Sequence, residues 1–296
     1  MTLSIIKKMK FSEKALVFGL DSFTGNYMKS CLEKQNINVI GTSFDEKSSN
    51  YCNITDSNQC DHYISLHQPD YIINLAGISY VLHDNFQEIY NVNFNGALNI
   101  ISSCEKYLSN SKILLISSAQ IYSETKNSIT EDCALSLDSH YSISKGMMEK
   151  AIALSKLNIK IARSFNYTGV GQSKNFLIPK LVDHYKRNKN VITLGETNLY
   201  RDFMDVRDVV RAYTKILTSN SSEKVFNVCS SKVYCINEII DFLNNEYNIK
   251  MKIVNDEIFF RSRSYKYVLG NNDKLKKIGW SAKYNIFDTI KWMIDD

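Results

Sequence analysis

Ala15-Leu-Val-Phe-Gly19-Leu-Asp-Ser22-Phe-Thr-Gly25 is the stretch on which the fold turns. Its four apolar residues, 15–18, are too few for a helix and suit a strand buried on both faces. Gly19 and Gly25 then stand at the first and last positions of a G-x-x-G-x-x-G turn, with Ser22 at the middle one. Glycine there lets the backbone turn sharply and lets an anion reach the free N–H groups of a helix N-terminus. The amphipathic residues 24–35 supply that helix. An ordinary strand-to-helix turn uses the same residue types, so both readings stay open on this stretch alone.

Outward from it, short apolar runs alternate with longer amphipathic stretches. The runs are 39–42, 71–75, 112–116 and 159–162; the helical stretches are 57–67, 85–107 and 141–156. Parallel strands need crossovers and cover on both faces, so the expected fold is α/β, a doubly wound parallel (Rossmann) sheet. After Arg163 the rhythm changes to loops and isolated strands, with helices near 176–187, 206–218, 236–247 and 286–294. That predicts residues 1–164 as mainly a dinucleotide-binding domain and 165–296 as mainly a smaller C-terminal substrate-binding lobe, with some crossing of the chain between them.

With 296 residues, 44% of them hydrophobic and 23% charged, the chain is long and apolar enough to bury such a core, which excludes disordered and fibrous classes. The net charge of +5 is spread along the chain and not gathered into a basic block. It suits anionic small molecules, and no nucleic-acid partner is expected. The seven cysteines form an odd set without a C-x-x-C pair, and the five histidines have no metal-ligand spacing. Reduced thiols, a cytoplasmic location and no metal are expected. Leu3, Ile5 and Ile6 fall far short of a secretory apolar region, and no run approaches the roughly 20 apolar residues that span a bilayer.

A second cluster carries chemistry. Ser117-Ser118 closes the run 112–116, and Tyr141-Ser-Ile-Ser-Lys145 follows. A Tyr and a Lys four apart share one helical face. An ammonium beside a phenol lowers its pKa from about 10, giving an acid and base usable near neutral pH. A surface pair has the same spacing. Position favours the chemical reading, because Ser118 ends one inferred strand and the helix begins before the next.

In the order of these motifs the chain resembles the extended short-chain dehydrogenases/reductases, which modify nucleotide-activated sugars. The resemblance runs from about Ala15 to Trp292. Besides the segments above it includes Asn74-Leu-Ala-Gly77, Asn93-Phe-Asn-Gly96, Ala162-Arg-Ser-Phe-Asn166, Gly169-Val-Gly-Gln172 and Arg201-Asp-Phe203. It implies Ser118, Tyr141 and Lys145 as a catalytic trio. It also implies a cofactor cradle of Gly19, Ser22, Phe23, Gly25, Ser43, Asn53 and Ile54, continued by Leu75, Ala76, Gly77 and Asn93 and closed by Tyr141 and Lys145. Sugar dehydratases of the family carry a carboxylate just after the catalytic Ser or Thr. Ala119 and Gln120 stand there instead, and neither is an acid or base at neutral pH, which argues against dehydration.

Within the family the chain is most similar to reductases of GDP-4-keto-6-deoxyhexoses, through residues 162–172, 201–208 and 225–230. That similarity implies substrate contacts from Ser118, Ala119, Gln120, Asn166, Asn175, Phe176, Arg201 and Arg261. Guanidinium groups meet diphosphate oxygens in pairs; salt bridges to Asp202 or Asp205 are the competing use of Arg201. Thr42-Ser43-Phe44 occupies the end of the second strand, where members preferring NAD carry an acid. NADPH is therefore expected over NADH, with Ser43 or Lys47 in reach of its 2′-phosphate. Asn53 is expected beside the adenine or as a cap of the next helix. The expected reaction is reduction of a C4 keto group on a nucleotide-linked 4-keto-6-deoxy sugar. The alternatives are a nucleotide-sugar 4-epimerase with tightly bound NAD and a cofactor-sensing regulatory protein. A homodimer is expected through the helices 85–107 and 141–156, where Met147, Met148, Ala151, Ile152 and Leu154 exceed one sheet-facing stripe.

Overall fold

The computed structural model describes residues 13–79, 83–255 and 265–296. Its first half runs β1 (Glu13–Phe18), α1 (Phe23–Glu33), β2 (Ile37–Gly41), α2 (Ser57–His67), β3 (Tyr71–Asn74) and α3 (Phe86–Tyr90). A π-helical stretch (Asn91–Gly96), α4 (Ala97–Tyr107), β4 (Lys112–Ser118), a 3-10 turn (Ala119–Ile121), α5 (His140–Ile152) and β5 (Asn158–Ser164) follow. The second half runs β6 (Asn166–Thr168), α6 (Leu177–Lys186), β7 (Val191–Leu194), β8 (Tyr200–Arg201), β9 (Phe203–Asp205), α7 (Val206–Thr218) and β10 (Val225–Val228). It ends with β11 (Tyr234–Cys235), α8 (Ile236–Tyr247), β12 (Lys252–Asn255), β13 (Tyr267–Val268), α9 (Asp273–Lys277) and α10 (Ile286–Asp295).

Six strands form one parallel sheet in the order β10-β5-β4-β3-β1-β2. Alternation along β1 sends its apolar residues to both faces. Ala15 and Val17 join Ile73, Leu114 and Phe226 beneath Met28 and Leu32 of α1 and Val209 and Tyr213 of α7. Leu16 and Phe18 join Ile72 and Leu115 beneath Ile64 of α2, Ile100 and Cys104 of α4 and Met148 and Ile152 of α5. Cover on both faces is the reason these strands read as unbroken apolar runs, and the doubly wound Rossmann architecture is the observed one.

The chain after Ser164 does not stay apart from this sheet. β10 pairs with β5 from Val225↔Ile161 to Val228↔Ser164, and α7 contributes to the core under α1. A separate core gathers Ile178, Leu181 and Tyr185 of α6, Ile239 and Leu243 of α8, and Ile286 and Ile290 of α10. Small sheets edge it: β11-β8-β13, β12-β7 and β6-β9.

Two helix expectations are corrected. Residues 85–107 are not one uniform helix, because the π-helical stretch interrupts them between α3 and α4. α5 ends at Ile152, and Leu154, beyond it, is 86% exposed.

Candidate active site

β1 lies between β2 and β3, so the crossovers leave it on opposite sides and open a crevice beyond the carboxyl ends of the strands. The glycine loop lines that crevice. Gly19 has φ +78°, and a Cβ there would lie 2.9 Å from the Ala76 nitrogen. A Cβ on Gly25 would lie 2.3 Å from the Leu20 carbonyl oxygen. Ser22 takes the middle position at φ −69°, and its hydroxyl caps α1 by accepting from the Gly25 N–H at 3.1 Å. The N–H groups of Phe23 and Thr24 remain at the head of a helix whose first turn holds no acidic side chain. Such a terminus, beside a loop without Cβ atoms to keep phosphate at a distance, fits the diphosphate of a dinucleotide.

The rest of the predicted cradle is braced around this loop. Phe23 stacks on Tyr167, whose hydroxyl hydrogen-bonds Thr24 at 3.0 Å. Leu75, Ala76 and Gly77 continue from β3, with the Ala76 N–H donating to Asn74. Asn93, turned inward by the π-helical stretch, accepts from the Ile78 N–H at 2.8 Å and donates to the Ile78 carbonyl and the Ser144 hydroxyl. Gly96 lets that stretch lie against buried Ile54, whose Cδ1 would be 2.6 Å from an added Cβ. Asn53 accepts from the N–H and hydroxyl of Thr55, so its side-chain oxygen caps the turn that leads to Asp56 and α2. The Ser43 hydroxyl donates to Asp21 of the glycine loop.

Ser118 ends β4, and Tyr141 and Lys145 stand one turn apart on α5; the three are 6%, 8% and 8% exposed. A Ser139–Ser142 capping box starts the helix just ahead of Tyr141. The Ser118 oxygen accepts from the Gln120 N–H at 3.2 Å, which leaves the hydroxyl proton for another partner. Burial raises the Tyr141 phenol to about 12, while its hydrogen bond with Ser118 pulls the other way. Burial lowers Lys145 to about 8, against an upward pull from Glu149. The expectation that Lys145 depresses Tyr141 is therefore reversed in this structure. Desolvation dominates the phenol, and the ammonium is turned to the Ile116 carbonyl at 2.9 Å. Its nitrogen also borders the cradle, 3.5 Å from where a Gly77 Cβ would stand.

Behind the helix, Arg163 of β5 grips Glu149 of α5 through Nε and Nη2 and reaches Tyr122 and the Glu131 carbonyl through Nη1. The pair is almost fully buried and pins α5, hence Tyr141 and Lys145, to the sheet. Sequence reasoning missed it, as it missed Tyr167. The partners are far apart in the chain and no local pattern marks them.

Toward the second lobe, half-buried Ala119 and Gln120 form the 3-10 turn. Asn166, exposed at the start of β6, lies 3.5 Å from the Asp202 carbonyl. Arg201 of β8 donates to the Tyr200 and Lys266 carbonyls. The expected salt-bridge competitors are engaged elsewhere. Asp202 accepts from Ser230 and Ser231, and Asp205 pairs with Arg207. Burial raises Asp202 to about 6 in spite of those bonds. The structure thus places Asn166 of β6 against Asp202, the residue after Arg201, whereas Asn175 and Phe176 sit on a separate turn heading α6. Arg261 lies outside the described residues. Among the described residues no His, Cys, Asp and Glu side chains gather at metal-binding spacing, and no helix is long and apolar enough to cross a membrane.

Known proteins resemble this chain in sequence and fold. The chain is 28% identical to a GDP-6-deoxy-D-talose 4-dehydrogenase of Aggregatibacter actinomycetemcomitans, over 90% of each chain. It is 28% identical to a GDP-6-deoxy-D-mannose reductase of Pseudomonas aeruginosa, over 77% of this chain and 80% of the relative. The structure of RMD from Pseudomonas aeruginosa complexed with NADPH superposes with a TM-score of 0.83 at 23% identity, over 96% of each chain. Its likeness is one of fold. Residues 15–229 match the NAD dependent epimerase/dehydratase family, a span that opens on β1 and closes just after β10 completes the sheet. On that match the chain belongs to the NAD-dependent epimerase/dehydratase family of extended short-chain dehydrogenases/reductases, nucleotide-sugar enzymes that use a nicotinamide cofactor.

Proposed function

We propose that this chain reduces the C4 keto group of a GDP-linked 4-keto-6-deoxy sugar, working as a soluble homodimer in the cytoplasm. The observation that carries the reading is Tyr141, buried beside Ser118 with its phenol raised to about 12. A phenol above its ordinary pKa stays protonated at neutral pH, ready to give a proton to a forming alkoxide. When bound, a reduced nicotinamide dinucleotide supplies the hydride. Tyr141 donates the proton, the Ser118 hydroxyl hydrogen-bonds the same oxygen, and Lys145 steadies the cofactor ribose. No carboxylate follows Ser118 in the 3-10 turn, so nothing there removes water from the sugar.

GDP is favoured because both relatives named above act on GDP-linked 6-deoxy sugars. The substrate lies between the sheet and the 165–296 lobe, with Asn166, Arg201 and the Asn175-Phe176 turn toward its nucleotide. The pairing surface is α3 to α5, where Phe86 and Met147 are 49% and 38% exposed and Phe86 stacks on His140. Met148 and Ile152 serve the monomer's own core and leave that surface narrower than the sequence implied.

A panel of GDP-, dTDP-, CDP- and UDP-linked 4-keto-6-deoxy sugars, assayed with NADH and NADPH by absorbance and product NMR, tests the proposal. Oxidation of the cofactor with a 4-hydroxy product, fastest for the GDP sugar, is expected. Interconversion of 4-hydroxy sugars without net oxidation would make the chain an epimerase instead.

A further inference from the structure

We propose that Asp21 sets the cofactor preference and that this chain binds NADH more tightly than NADPH. The inference rests on the cofactor site proposed above and concerns its adenosine end. In dinucleotide folds a carboxylate near the end of the second strand reads the 2′-hydroxyl of the adenosine ribose. Here β2 ends at Gly41 and is followed by Thr42, Ser43 and Phe44, none of them acidic.

The fold supplies the missing carboxylate from the glycine loop. The Leu20 N–H donates to the Thr42 carbonyl at 2.9 Å and the Gly19 N–H to the Thr42 hydroxyl at 3.3 Å, laying the loop along the end of β2. Asp21 follows and accepts from the Ser43 hydroxyl at 2.5 Å. Ser43 also accepts from the Asp45 N–H at 2.9 Å. Its proton is given to Asp21, so Ser43 has no donor to offer a phosphate unless it releases that bond.

Asp21 itself is exposed, and its other oxygen can accept from a ribose hydroxyl. A 2′-phosphate would bring nearly two negative charges beside this carboxylate. The adjoining exposed residues add Asp45 and Glu46 against Lys47 alone. The carboxylate that sequence reasoning found lacking is therefore in place, and it reverses the preference drawn from its absence.

Titration of the full-length protein with NADH and with NADPH, read by nicotinamide fluorescence without substrate, tests this. The wild type is expected to favour NADH by about tenfold or more at low salt, with the ratio shrinking as salt is added. Asp21→Asn should bind NADPH more tightly and lower the ratio by about tenfold, with an unchanged melting temperature. If Asp21→Asn is destabilised, Asp21→Ser serves in its place. Equal or tighter NADPH binding by the wild type would overturn the proposal, as would a ratio untouched in the folded variant. Binding of neither nucleotide would instead overturn the cofactor site on which it rests.

Discussion

Glu149→Gln separates the charge that holds the catalytic helix from the shape that fills the same space. In the wild type Glu149 takes three hydrogen bonds from Arg163, at 3.0, 3.2 and 2.6 Å, with both side chains under a tenth exposed. Burial works against the guanidinium charge, and Glu149 more than restores it. Glutamine keeps the volume but offers one acceptor oxygen and no charge, so Arg163 is left buried with only neutral partners. Removing one member of such a pair costs about 3–5 kcal/mol. The remaining amide acceptor places this variant near the lower end, at about 3 kcal/mol. Urea unfolding followed by tryptophan fluorescence, to which buried Trp280 contributes, measures the loss. A second readout lies in the active site. Glu149 pulls Lys145 upward, so its neutralisation moves Lys145 further below about 8 and carries the pH dependence of cofactor binding with it. A stability change below about 0.5 kcal/mol, the range of ordinary surface substitutions, would refute the placement of this pair at the root of α5.

Three further outcomes are expected. Gly25→Ala should abolish nicotinamide dinucleotide binding in fluorescence titration while circular dichroism stays folded, because its Cβ would press on the Leu20 carbonyl from 2.3 Å; retained affinity would contradict the loop's role. Cofactor affinity should fall as pH rises through about 8, where Lys145 loses its proton, while Tyr141 at about 12 stays protonated; a flat profile from neutral to alkaline pH would contradict this. Light scattering should return about twice 34.0 kDa, and Met147→Glu, at an exposed position of α5, should shift the mass toward the monomer; a wild-type mass near 34.0 kDa would remove the dimer.

Much of the fold was legible because the strands are buried on both faces and the helices carry local stop and start signals. α2, α7 and α8 fall on the predicted residues 57–67, 206–218 and 236–247, and Asp56 and Asp205 cap the first two. Where β10 would dock was not legible from periodicity, since four residues of strand say nothing about which sheet edge they join. The π-helical stretch was also hidden: a single extra residue per turn leaves the apolar spacing of 85–107 close to that of an ordinary helix. In the active site the spacing of Tyr141 and Lys145 revealed that they share a face but not how dry that face is. Their pKa directions follow from desolvation, which depends on everything packed around them. Asp21 shows the same limit, for its bond to Ser43 joins two loops that no local pattern connects.

Reduction at C4 by Ser118, Tyr141 and Lys145 can be followed in turnover of a GDP-linked 4-keto-6-deoxy sugar with reduced cofactor deuterated at its transferring carbon, read by NMR of the sugar. One deuterium should appear at C4 for each cofactor oxidised, and Tyr141→Phe should bind the cofactor normally yet lose turnover by orders of magnitude. A sugar product without deuterium at C4, or a Tyr141→Phe enzyme turning over near the wild-type rate, would contradict the account.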